Sequence, residues 1–117
     1  MKKSVVKDKS YNFAIRVVNL YKYLIEEKKE YVLSKQVLKS GTSVGALIRE
    51  GEHAESKADF IHKLSIALKE INETEYWLNI LKDTGYIDKT MFVSMNGDCS
   101  ELIAILISII KTTKKRI

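Results

Sequence analysis

The sequence predicts an all-α fold, an up-down-up-down antiparallel four-helix bundle whose last helix packs against another subunit. Three observations carry this. The 117 residues contain no proline, so long helices meet no obligatory break. Apolar residues recur at alternating spacings of three and four along most of the chain. Finally, Leu102, Ile103, Ile105, Leu106, Ile107, Ile109 and Ile110 cover nearly the whole circumference of the C-terminal helix. A helix apolar all round is buried all round, whereas a helix of a monomeric bundle keeps an outward face. Leu102, Ile103, Ile105, Ile107 and Ile110 are therefore the expected oligomer interface.

The elements follow in order, within a single domain over residues 1–117. The first helix is expected over about 10–29, with Ala14, Val17, Val18, Tyr21, Leu24 and Ile25 facing inward and Asn12, Arg16, Asn19 and Glu26 opposite. Ser34 is the expected N-cap of a second helix over about 34–54. Ser56-Lys57-Ala58-Asp59 loosely fits a capping box and opens a third helix over about 57–84. Its seam is Phe60, Leu64, Ala67, Ile71, Thr74, Leu78 and Leu81, a heptad-like run. Thr84-Gly85-Tyr86 ends it, the glycine supplying a left-handed residue. Asp88 caps a fourth helix over about 88–115. Asn96-Gly97 is locally a turn signal, but Phe92, Met95, Cys99, Leu102, Leu106 and Ile109 keep helical register through it. One continuous helix is expected there, the alternative being a break with Asp98 as a new cap.

Gly41 and Gly45 share a helix face in "SGTSVG". A phosphate-binding loop would need a preceding strand and a following Gly-Lys-Ser/Thr, and neither is present. The pair is read instead as a packing seam where a neighbouring helix comes close, with Tyr21, Phe60 or Trp77 as alternative occupants of the recess.

Chemistry is sparse. The lone cysteine, Cys99, excludes an internal disulfide and reads as a buried hydrophobe. Glu50/His53 and Asp59/His62 have i, i+3 metal-like spacing, but both cluster near one connection rather than at a bundle centre, and no metal is expected. Glu70, Glu73 and Glu75 read as a salt-bridge face. No catalytic residue and no cofactor are assigned, and a non-enzyme is expected. The N-terminus lacks a signal-peptide apolar core, and the 102–110 run is about half of a membrane span. A cytoplasmic protein with no membrane partner is expected.

The formal net charge of +5 is unevenly placed. Residues 1–39 hold ten Lys/Arg against four Asp/Glu, residues 40–110 six against eleven, and residues 111–117 four against none. Basic ends suit a polyanion, or subunits that attract through opposite faces. The candidate nucleic-acid-binding residues are Lys9, Arg16, Lys35, Lys39, Arg49, Lys111, Lys114, Lys115 and Arg116. Tyr11, Tyr21, Tyr23 and Tyr31 offer thin aromatic interleaving, so a structured RNA or duplex read by charge and shape fits better than a single strand.

Residues 33–87, above all "SGTSVGALIREG" and "DFIHKLSIALKEINETEYWL", resemble the 23S ribosomal RNA intervening-sequence protein family, which includes accessory variability proteins of diversity-generating retroelements. The resemblance implies a small bundle assembling into a ring, a homopentamer. It also implies, as in some relatives, binding of RNA or DNA and of a reverse transcriptase or other RNA-processing protein through a basic ring surface. One departure stands out: Leu47 occupies a position where the family has asparagine. The function expected from residues and resemblance together is an oligomeric, nucleic-acid-binding bundle, the alternative being a protein–protein scaffold with no nucleic-acid role.

Overall fold

A computed structural model describes residues 4–116. Four helices follow one another: α1 (Val5–Glu26), α2 (Leu33–Glu52), α3 (Lys57–Asp83) and α4 (Lys89–Lys115). Successive helices pack broadly on one another, α1 and α4 touch sparsely, and α2 and α4 are diagonal. Neighbours run antiparallel. Ser10 and Val17 on α1 lie against Gly45 and Gly41 on α2, and Ser40 and Ser43 on α2 meet Thr74 and Glu70 on α3. The result is a rod of 50 × 23 × 21 Å.

Each helix end has an identifiable cause. Ser4, Ser56 and Asp88 cap α1, α3 and α4, their side chains accepting from the N–H groups of Lys7, Asp59 and Met91. α1 thus starts five residues before the expected boundary of about 10. It also ends earlier, at Glu26, because Lys29 adopts the left-handed region (φ 55°) and the Glu30 N–H turns back to the Leu24 carbonyl at 3.0 Å. Gly85 (φ 86°) does the same for α3, with the Tyr86 N–H on the Leu81 carbonyl.

The start of α2 differs from expectation in mechanism. Ser34 is the second residue of the helix, not its cap. The cap is the buried carboxylate of Glu30. One oxygen accepts from Ser34 N–H at 2.6 Å, and the other accepts from Leu33 at 2.9 Å and Val32 at 3.2 Å. Three orphan donors of the first turn are satisfied by one side chain.

The expected α3 seam is buried from Leu64 to Leu81, with Phe60 half-buried. α4 is continuous through Asn96-Gly97. Its length and composition would suit a membrane span, with a mean hydropathy of 1.5 over the most apolar stretch, which extends beyond 102–110. Here Met95, Cys99, Leu102, Leu106 and Ile110 lie in the bundle core. Burial pushes the Cys99 thiol up to about 12, helped by the nearby Glu75 and Asp98 charges, so it stays neutral and unreactive at neutral pH.

On α1 the buried stripe is Val6, Ser10, Phe13, Val17, Leu20 and Leu24. The expected face was rotated: Val18 is exposed and Ala14, Tyr21 and Ile25 are only half-buried. Leu102 (1% exposed) and Ile110 (8%) lie in the chain's own core, which removes them from any intersubunit surface. Ile103 and Ile105 pack half-buried against that core, and of the five only Ile107 is exposed, at 38%. α4 buries one side of its apolar surface, chiefly against α3, and leaves Val93 and Ile107 exposed on its outward side.

The α1–α2 crossing explains Gly41. A Cβ there would stand 2.7 Å from Val17 Cγ2, whereas one at Gly45 would reach the Ser10 carbonyl oxygen at an ordinary 3.4 Å. Neither Tyr21, Phe60 nor Trp77 fills the recess at Gly41; Val17 does. Gly51 makes a second close approach, to α3, where a Cβ would stand 2.9 Å from Leu64 Cδ1. Around Gly97 a Cβ would meet nothing within 4 Å.

Two substitutions of the same kind should therefore have opposite signs in urea unfolding. Gly41→Ala is expected to destabilise by ~1–3 kcal/mol through overpacking against a stiff valine. Gly97→Ala is expected to stabilise by ~1 kcal/mol through helix propensity alone. Glu30→Ala should cost ~2 kcal/mol, since it leaves three first-turn N–H groups without their acceptor.

Candidate nucleic-acid interface

The candidate cations fall into three groups. On α1, Lys9 and Arg16 turn toward α4 and are engaged: Lys9 Nζ lies 2.9 Å from Glu101 Oε2, and Arg16 donates to Asp98 Oδ2 at 2.7 Å and to Ser94 Oγ at 2.8 Å. These two ion pairs span the sparse α1–α4 seam. They are expected anion contacts that the fold uses internally instead.

On α2, by contrast, Lys35, Lys39, Thr42, Ala46, Arg49 and His53 recur at spacings of four and three. At 100° per residue they form one narrow stripe, opposite the buried Val37, Val44 and Ile48. Lys35, Lys39 and Arg49 are exposed on it, and among the described residues they make no ion pair. The acids beside the stripe are occupied: Glu50 is 3.1 Å from Lys63 on α3, and Glu52 is 3.2 Å from Lys7 on α1.

The third group, Lys111, Lys114, Lys115 and Arg116, is exposed at the end of α4. Because α4 is diagonal to α2, the structure does not bring this tail onto the stripe's face. Arg116 instead borders a cavity of ≈ 380 Å³ with Phe60, Ile109 and Thr113.

Beside the α2 stripe lies an outward face of α1 formed by Tyr11, Ile15, Val18 and Lys22. Tyr11 is 53% exposed and Ile15 46%, and the Arg49 guanidinium stands over the Tyr11 ring, 5.6 Å from its centroid. Lys28 and Lys29 at the α1–α2 turn are exposed next to Glu26 and Glu27, which offset their charge. The sequence could have shown this face: 11, 15, 18 and 22 are spaced as regularly as the buried stripe, and two apolar stripes on one helix obscure which is core.

Several of the remaining polar candidates have structural partners. Asp59 Oδ2 accepts from Glu55 N–H, Glu70 accepts from Ser43, and Glu73 accepts from Trp77 Nε1–H. Among the described residues no three His, Cys, Asp or Glu side chains group as metal ligands would. Leu47 packs half-buried against the core, so the position where the resemblance implies asparagine has no polar group to offer.

The model of the 23S rRNA-intervening sequence protein family matches residues 2–108. No curated protein matches. Among solved structures, a Bacteroides thetaiotaomicron protein of unknown function, from the S23 ribosomal protein family, shares 63% identity. The match covers 92% of this chain and 99% of that one, with a TM-score of 0.91. With a bundle of the same shape and a family model spanning nearly all of its length, the chain belongs to the 23S rRNA-intervening sequence protein family.

Proposed function

We propose that this protein is a non-enzymatic, cytoplasmic homo-oligomer, a pentameric ring, that binds structured RNA through the outward stripe of α2. The observation that carries the reading is the contrast between its cations. Lys7, Lys9, Arg16 and Lys63 are held by carboxylates, whereas Lys35, Lys39 and Arg49 are exposed together without one. Cations left beside water are those able to displace counterions from phosphates.

A ring would repeat the stripe around an axis, and repetition multiplies weak phosphate contacts into useful avidity. The family's name, which ties it to an rRNA intervening sequence, supports RNA as the polyanion. Contacts of this kind read backbone position and helix shape rather than base identity. For the ring contact, the outward strip of α4 supplies Val93 and Ile107, exposed beside Gly97, Ser100 and Ala104. Those apolar side chains also favour a second reading, a scaffold for an RNA-processing protein that does not itself touch nucleic acid.

The test is retention of a labelled RNA hairpin at low salt by the wild type and by the Lys35→Glu/Lys39→Glu/Arg49→Glu variant. The variant is expected to lose about tenfold or more in affinity while its mass by light scattering is unchanged. Equal affinity would reject the α2 stripe as the site, and a wild type that retains no RNA would favour the scaffold.

A further inference from the structure

Between α1 and α2, on the same face as the basic stripe, lies a notch of ≈ 140 Å³. Tyr11 and Arg49 line it together with Lys7, Ala14, Thr42 and Gly45. That size is well below the roughly 300–1,000 Å³ of pockets that enclose whole drug-like ligands. It admits one flat ring.

We propose that this notch receives a single unstacked nucleotide, so that the protein prefers looped or single-stranded RNA at this point to continuous duplex. This inference rests on the reading of the α2 stripe as an RNA-binding surface. It also changes the expectation, drawn from the thin scatter of tyrosines in the sequence, that a single-stranded platform fits poorly.

Three features support a nucleotide in particular. Tyr11 is an aromatic side chain left half in water on a basic face, and every base has a π-face to lay on such a ring. Arg49 stands over that ring, which restricts the ring's orientation and keeps a permanent charge beside any phosphate attached to the stacked base. Ala14, Thr42 and Ala46 contribute small side chains to the lining, and the absence of one at Gly45 leaves the notch open to the Ser10 backbone. A base paired inside a duplex cannot enter, because its faces are already stacked.

Fluorescence anisotropy with a labelled poly(rA) oligonucleotide and a blunt RNA duplex of equal length tests this. Tyr11→Ala is expected to weaken the single strand roughly tenfold and leave the duplex within about twofold, whereas Tyr11→Phe keeps both. Tyr11 is exposed, so the variant should fold, and circular dichroism checks that. Wild-type binding of the single strand by Tyr11→Ala, with loss in Lys35→Glu/Lys39→Glu, would overturn the notch and leave the stripe standing. An equal loss for strand and duplex would also overturn it, by removing the preference for an unstacked base. A change of oligomeric mass in Tyr11→Ala would overturn it too, placing the tyrosine in a subunit contact. If the wild type binds neither probe, the stripe and the notch fall together.

Discussion

Val17 occupies the space that Gly41 leaves by having no side chain, and much of the molecule's arrangement depends on that contact. It lets α1 and α2 approach closely enough for Ser10 to lie against Gly45, which sets the antiparallel register of the pair. With α2 pressed to α1 on one flank and, through Gly51 and Leu64, to α3 on the other, Lys35, Lys39 and Arg49 are left on its outward side. They point straight out. The same register puts Arg49 over Tyr11, so a packing constraint between two buried residues fixes a feature of the surface.

Closure of the bundle is a different kind of problem. α1 and α4 touch sparsely, and polar contacts bridge the seam: Lys9 with Glu101, and Arg16 with Asp98 and Ser94. Half-exposed ion pairs contribute little each, ~0–1 kcal/mol, so they orient the seam more than they hold it. Their consequence for function is subtractive. By engaging Lys9 and Arg16 of α1, they leave Lys35, Lys39 and Arg49 as the cations without a carboxylate partner on the outward stripe of α2. The core itself closes without help from another chain, since even the strongly apolar α4 finds partners for Leu102, Leu106 and Ile110.

The fold was largely legible because each helix carries its own signals. The α3 seam, the Ser56 and Asp88 caps, and Gly85 are local in sequence, and they sit as the spacing implies. What was not legible depended on distance or on ambiguity. Glu30 caps α2 from four residues before Ser34, and a buried glutamate in a turn gives no pattern to read. On α1, Phe13 and Leu20 point inward while Ile15 and Val18 do not, and periodicity alone cannot rank two apolar stripes. For the site, composition identified the cations but not their partners. Arg16 meets Asp98 across 82 residues, and nothing local marks it as engaged. The stripe of Lys35, Lys39 and Arg49 was visible because it lies within one helix.

Assembly and charge act together in the proposed function, and one experiment addresses both. Size-exclusion chromatography with light scattering, run at low and high salt with the nucleic-acid to protein absorbance ratio recorded across each peak, measures mass and bound RNA at once. A pentamer-sized species that carries RNA at low salt and sheds it at high salt is the expected result. A monomer, or a ring free of nucleic acid at both salts, would contradict it.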